Sequence, residues 1–289
     1  MSSLRWDREG RDWPLREHSR FVEAGGLTWH VQHFGSGPAA LLIHGTGASS
    51  HSWRDVAPLL ADRFTIIVPD LPGHAFTRGR PAGGLTLPNM AGALADLLTM
   101  LGARPVVTAT HSAGTAIACR MALDGGLTAP IIGFGPALLP MGGSAAPIFS
   151  SLARLLFLNP FAPRVFATIA RQPGRIERFL ARATGSRIDR RGIDLYARLF
   201  ASSDHIAGAI EMMARWELEA LARRLPSLPV PLTIAHGERD SAIKAADARE
   251  AARLARAGFE LLPGLGHLAH EERPALAGEL IVKAAEGAG

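Results

Sequence analysis

The chain has 289 residues, 47% of them hydrophobic, enough to bury a full core as one large domain and too apolar for an intrinsically disordered protein. Its formal charge is +5, carried almost wholly by arginine, because Lys244 and Lys283 are the only lysines. No zinc-finger spacing or aromatic RNA-binding motif accompanies that charge, so nucleic acid is not an expected partner.

Residues 1–18 are polar with Trp6 and Trp13 interspersed, and read as an arm packed on the domain rather than as a signal peptide, whose apolar core is missing. Two strand-like runs follow, 20–24 and 27–34, joined by Gly25-Gly26 as a hairpin. Residues 40–43 form a short, wholly apolar strand that feeds His44-Gly45-Thr46-Gly47, a turn whose backbone N–H groups can point at an anion. A helix is expected over 51–60 and a buried strand over 64–68, closed by the breaker-rich Asp70-Leu71-Pro72-Gly73-His74. Residues 90–101 have helical periodicity and lead into P-V-V-T-A-T-H-S-A-G-T at 105–115.

That last stretch places Ser112 at a strand-to-helix turn. Val106, Val107 and Thr108 suit a buried strand, and Ala113, Ala116, Ile117 and Met121 recur at helical spacing. This is the geometry of a nucleophile elbow, in which small residues flank the serine two positions either side because the backbone there approaches its neighbours closely. Gly114 fits the pattern and Thr110 departs from it. A serine that merely caps a buried helix is the plain alternative. Cys119, the only cysteine, falls on the same helix, where a small buried hydrophobe is expected; with no partner for a disulfide, a reducing, cytoplasmic compartment fits.

After one more apolar strand at 130–134 the strand–helix alternation stops. From 136 to 225 only helix-like segments appear, at 149–158, 163–170, 175–183, 188–200 and 204–222, and these read as an inserted helical cap. The sheet pattern resumes with strands at 230–235 and 259–262 and helices at 245–257 and 274–285. The expected architecture is therefore α/β: a mostly parallel eight-stranded sheet with helices on both faces, a core of 1–135 and 226–289, and a cap of 136–225. The most hydrophobic window, 148–170, is broken by Arg154, Asn159, Pro160, Pro163 and Arg164 and is no membrane span.

Two strand ends after the cap complete what Ser112 needs. H-G-E-R-D puts Asp240 just past one strand, with Glu238 as a rival acid, and G-L-G-H-L-A-H-E-E-R-P puts His267 before the last helix, with His270 as a rival base. His267 alone has the preceding glycine and the Glu272-x-Pro274 spacing. His44 is expected to shape its turn and His111 to support the elbow. No third ligand joins His267 and His270 at a convincing spacing, so neither a metal site nor a cofactor is expected.

The motifs H-G-T-G, D-L-P-G-H, T-H-S-A-G, H-G-x-x-D and G-H-x-x-x-x-E-x-P occur in the order and spacing of the α/β-hydrolase family, which the chain resembles over nearly its whole length. The resemblance implies Ser112 as nucleophile, His267 as base and Asp240 as its orienting acid, with the backbone N–H groups of Thr46 and Ala113 as the oxyanion hole. It also implies an ester or acyl substrate, because related haloalkane dehalogenases and epoxide hydrolases carry an aspartate at the elbow. Lys244 stands where the family often has proline, which puts the loop that places Asp240 in question. Within the family, W-P-L-R-E at 13–17, H-S-R-F-V at 18–22, G-T-G-A-S-S-H-S-W-R-D at 45–55, A-L-L-P at 137–140 and L-N-P-F-A-P-R at 158–164 resemble the magnesium chelatase accessory proteins of bacteriochlorophyll biosynthesis. That implies a role around magnesium insertion into protoporphyrin, with chelatase subunits as partners, but no established reaction for the hydrolase site.

The cap carries the charge. Residues 151–200 hold ten arginines against Glu177, Asp189 and Asp194, so the stretch is +7 and the remainder of the chain about −2. An acidic or amphipathic ligand such as a porphyrin, an acidic protein, or a peripheral contact with the inner or photosynthetic membrane would each match it; a solvated helical face is the plain alternative. Leu155, Leu156, Phe157, Phe161, Phe166, Phe179 and Phe200 either line an apolar cleft above Ser112 or form the ordinary core between cap helices.

Overall fold

A computed structural model describes residues 2–140, 159 and 161–287. Eight strands, β1 (Ser19–Ala24), β2 (Leu27–Gly35), β3 (Ala39–Ile43), β4 (Thr65–Pro69), β5 (Pro105–His111), β6 (Ile131–Phe134), β7 (Leu232–Gly237) and β8 (Gly258–Leu262), form one open sheet in the order β1-β2-β4-β3-β5-β6-β7-β8. The β1–β2 hairpin is antiparallel, β2 pairs antiparallel with β4, and every pair from β4 to β8 is parallel. Gly25 and Gly26 turn the hairpin at φ 58° and 75°, the left-handed backbone that a two-residue turn of matching twist requires.

The short parallel strands are apolar on both faces because helices cover both. In β3, Leu41 and Ile43 join the core beneath α2 (Leu87–Met100) and α3 (Ala113–Leu123), while Ala40 and Leu42 join the core beneath α1 (Ala57–Leu60) and the C-terminal helix. The Thr86 hydroxyl caps α2 by accepting the Asn89 N–H at 3.4 Å, and the helix gives way at Gly102, φ 61°. Its buried Leu87, Met90, Ala91, Leu94, Leu97 and Leu98 follow the i, i+3, i+4, i+7 pattern. Truncating Leu94, which is wholly buried, would cost about 3 kcal/mol.

Between β6 and β7 the described residues form helices α4 (Ala162–Ala170), α5 (Arg175–Thr184), α6 (Arg190–Phe200), α7 (Ser203–Arg215) and α8 (Leu218–Arg224) and no strand; the helix expected at 149–158 lies outside the described residues. α9 (Ala245–Ala255), α10 (Ala269–Glu272) and α11 (Pro274–Glu286) complete the chain. α7 seats on the D-L-P-G-H turn so closely that a Cβ on Gly208 would overlap the carbonyl oxygen of Gly73. Leu4 and Trp13 bury the N-terminal arm against Phe76 and the cap residues Leu195 and Leu199.

Three elements differ from expectation. The helix expected over 51–60 is a 3-10 turn, Ser50–Trp53, followed by the single turn of α1. The reason is polar: the Ser50 N–H is drawn to Asp70 Oδ1 at 2.7 Å, and the Ser49 side chain accepts from His51, so the segment wraps a buried carboxylate instead of continuing. The helix expected over 204–222 breaks at Trp216–Glu217, where the Trp216 indole N–H donates to the Leu85 carbonyl at 3.1 Å. The short α10 was not expected; it packs with Ala269 and His270 buried between His267 and Pro274.

Candidate active site

The parallel strands β3, β5, β7 and β8 all end at the same edge of the sheet, and the predicted site residues lie just past those ends. Ser112 separates β5 from α3 with φ 49° and ψ −117°, a backbone conformation uncommon for a residue with a side chain and the mark of a strained elbow. Its N–H is fixed to the Phe134 carbonyl at 2.9 Å and its side chain is partly exposed. Gly114 is required where it stands: a Cβ there would lie 2.7 Å from the carbonyl oxygens of both Ile43 and His44. Thr110 is accommodated through its hydroxyl, satisfied by Thr115 Oγ1 at 2.8 Å and the Ile132 carbonyl at 3.1 Å, and Gly133, its register partner on β6, leaves room for Thr115, whose side chain would lie 2.8 Å from a Cβ there.

His267 Nδ1–H donates to Asp240 Oδ2 at 2.8 Å, and both side chains are buried. Asp240 Oδ1 accepts the backbone N–H groups of Ala242 and Ile243 at 2.8 and 2.9 Å, so the carboxylate itself shapes the loop in which Lys244 replaces proline. Glu238 instead accepts the Gly264 N–H at 2.8 Å on the exposed side. His270 packs behind the site against Trp53 and His111, with ring centroids 4.5 and 4.6 Å away, and burial pushes its pKa down to about 3. The His111 Nε2–H donates to the His267 carbonyl at 3.2 Å, tying the elbow to the histidine loop.

The H-G-T-G turn closes against the elbow. A Cβ on Gly45 would lie 3.0 Å from Ser112 Cβ, Thr46 follows Gly45 in the turn, and Ala113 opens α3 directly after the serine. His44 holds this turn: its Nε2 accepts the Leu71 N–H at 2.9 Å, its Nδ1–H donates to the Gly45 carbonyl at 2.8 Å, and burial lowers its pKa so that it stays neutral. Beneath it, burial alone would raise the pKa of Asp70, but His30 at 2.7 Å and the Ser50 N–H hold the carboxyl well below the usual range.

The cap roofs the turn. The Thr46 hydroxyl contacts Met212 Sδ at 3.2 Å, His205 Nε2–H donates to the Gly47 carbonyl at 3.0 Å, and the Phe200 ring comes within 3.4 Å of where a Gly47 Cβ would stand. Of the cap aromatics, Phe200 is half-buried at this roof while Phe161, Phe166 and Phe179 face outward; Leu155, Leu156 and Phe157 lie outside the described residues. Cys119 is buried, which pushes its thiol up to about 12 and fits a packing role. Among the described residues no three His, Cys, Asp or Glu side chains converge as a metal site requires, and no helix is long and apolar enough to cross a membrane.

Two features were missed in the sequence. Gly135, φ 53°, lies directly under the His267–Asp240 contact, where a Cβ would stand 2.7 Å from His267 Nδ1; a glycine immediately after a buried strand was the available signal. Arg54 is buried between core and cap, donating to Glu271 Oε2 and Asp189 Oδ1 at 2.7 Å each, while the Tyr196 hydroxyl donates to Glu271 Oε1 at 2.8 Å. Burial pushes the Glu271 carboxyl up to about 7 against the pull of Arg54 and Tyr196. Nothing in local sequence announces a network of such separation.

The mostly parallel eight-stranded sheet with its flanking helices is that of the α/β hydrolase family, and the chain belongs to it: residues 40–277 match that family. The chain is 37% identical over 263 residues to the magnesium-chelatase 30 kDa subunit of Rhodobacter capsulatus, covering 90% of this chain and 92% of that protein. Solved structures of similar fold include the epoxide hydrolase CorEH (TM-score 0.76, 23% identity, 93% of this chain and 98% of that one) and a thermophilic esterase of Thermogutta terrifontis (TM-score 0.74, 21% identity, 93% and 99%).

Proposed function

We propose that the chain is a serine hydrolase, cleaving an ester or related acyl bond of a small molecule held between the core (1–135 and 226–289) and the cap (136–225), and that it serves magnesium chelatase in bacteriochlorophyll formation. The observation that carries the chemistry is the 2.8 Å His267–Asp240 contact at the sheet edge that also bears Ser112 in its strained turn. In this reading His267 Nε2 takes the proton of Ser112 as Oγ bonds to the carbonyl carbon. The proton then passes to the leaving group as the acyl bond breaks, and water, activated by the same imidazole, releases the acyl group from Ser112. Asp240 holds the imidazole tautomer and stabilises its charged form. The N–H groups of Thr46 and Ala113 hold the oxyanion, each worth about 3 kcal/mol in the transition state.

The cellular context rests on the name of the Rhodobacter relative, which matches 90% of this chain, and on the resemblance carried by the arm and cap motifs. It favours a tetrapyrrole ester among the candidate substrates, chelatase subunits as partners and a cytoplasmic setting. The test is intact-mass spectrometry after treatment with a fluorophosphonate, comparing the wild type with Ser112→Ala and His267→Ala. A single adduct on the wild type alone is expected. No adduct on folded wild type would overturn the hydrolase and leave a porphyrin-binding or chelatase-assisting protein on a hydrolase fold, for which porphyrin binding is the next measurement.

A further inference from the structure

On α4 Ala162, Pro163, Ala167 and Ala170 are buried, and the exposed remainder is apolar in part rather than wholly polar as an ordinary solvent face would be. Phe161, Val165, Phe166 and Ile169, with Phe179 on α5, are each more than 40% exposed. The helical step of 100° per residue puts Phe161, Val165 and Ile169 in one row and Arg164, Thr168 and Arg171 in the adjoining row. That second row borders a cavity of about 370 Å³ lined by Ser2, Arg164, Ala167, Thr168, Arg171 and Ser203. Arg175, Arg178 and Arg182 of α5 are exposed as well. The acidic groups nearby are engaged: Glu177 lies 3.9 Å from Arg190, and Asp204 accepts from the Ser3 hydroxyl.

We infer that this face of α4 and α5 docks on an anionic phospholipid bilayer, with a headgroup phosphate in the cavity between Arg164 and Arg171 and with Val165, Phe166 and Ile169 entering the acyl boundary. Two independent observations meet here. Exposed aromatic and β-branched side chains on a short amphipathic helix gain free energy by leaving water at a membrane interface. A cluster of guanidinium groups with few acids among them is complementary to an anionic surface, and guanidinium forks match phosphate oxygens. A protein partner would explain the apolar row, and a free phosphate the arginine row, but a bilayer explains their adjacency. The Phe179 ring lies 5.6 Å from Phe200, which roofs the Gly47 turn.

The test is co-sedimentation of the full chain with phosphatidylcholine vesicles and with vesicles containing about 30% phosphatidylglycerol, at roughly 0.1 M salt. Binding to the anionic vesicles alone is expected. It should weaken about 10- to 30-fold in Arg164→Gln/Arg171→Gln, and comparably in Phe166→Ser/Ile169→Ser, with melting temperatures unchanged. Arg253→Gln, on the far helix α9, should bind as wild type. Failure to bind anionic vesicles, equal binding to neutral ones, or undiminished binding by both double variants would overturn the proposal. So would either competing occupant. Inorganic phosphate that stabilises the wild type but not the arginine variant, without vesicle binding, would mean a free-anion site. A dimer abolished by Phe166→Ser/Ile169→Ser would mean a second copy of the chain.

Discussion

The Ser186 hydroxyl donates to Glu272 Oε2 at 2.9 Å, and this contact joins the cap to the loop that carries His267. The same carboxylate accepts the Gly266 N–H at 2.6 Å and the Arg187 N–H at 2.9 Å, while Ser186 Oγ accepts the Leu268 N–H at 2.8 Å. His267 is thus bracketed by Gly266, held by Glu272, and Leu268, held by Ser186, and its own N–H donates to the Thr184 carbonyl at 2.8 Å. The α5–α6 connection is tied to the core at the histidine loop itself.

Glu272 is therefore a positioning residue, and Glu272→Gln gives the first prediction. The amide would turn donors toward N–H groups that need an acceptor, at a cost of about 2 kcal/mol. The rate of fluorophosphonate labelling at Ser112 should fall roughly tenfold or more, and its pH midpoint should move because the imidazole is no longer held square to Asp240. A variant that loses stability but keeps the wild-type labelling rate and pH midpoint would reduce Glu272 to a structural strut.

Gly135 gives the second. Alanine at φ 53° is strained, and its Cβ would stand 2.7 Å from His267 Nδ1 and 3.0 Å from Asp240 Oδ2. Gly135→Ala should lower the labelling rate about 100-fold by wedging the pair apart. The effect on Tm should be smaller than that of a core truncation such as Leu94→Ala, because only a loop at the sheet edge must shift. Labelling within a few-fold of wild type would show that the Gly135 loop yields and leaves the His267–Asp240 contact intact.

Ser112, Asp240 and His267 were legible because each follows a short apolar strand and is bracketed by chain breakers, so local pattern alone put them at the right edge of the sheet. Thr110 reads as a departure from the small-residue pattern because one of the groups that satisfy its hydroxyl, the Ile132 carbonyl, lies on another strand. The reading of 51–60 as one helix failed for a similar reason: the Asp70 carboxylate that captures the Ser50 N–H is 20 residues away, and periodicity cannot register a buried acceptor. Ser186 and Glu272, and Arg54 and Glu271, are 86 and 217 residues apart. What local sequence conveys is where side chains with chemistry leave the sheet; what it omits is which distant polar groups hold them still.

The third prediction concerns acid. His270 is wholly buried, and neither of its ring nitrogens has a hydrogen-bond partner among the described residues. Burial first, then the neighbouring His267 and Arg54, push its pKa down to about 3. The unfolded chain takes up this proton near pH 6.5, whereas the folded chain refuses it until about pH 3. The stability that neutral His270 contributes is therefore complete above pH 6.5 and is lost as pH falls through that window. Phenylalanine fits the same aromatic surroundings and binds no proton. His270→Phe should lie within about 1 kcal/mol of wild type at pH 7.5, and should gain on it by ~1.4 kcal/mol per unit below pH 6.5. His44 and His205, also lowered by burial, stay in both proteins and cancel in the difference. Urea unfolding of both proteins at pH 7.5 and pH 4.5 reads it directly. A difference that stays constant between those two pH values would mean that the folded protein already admits a proton, or water, at His270.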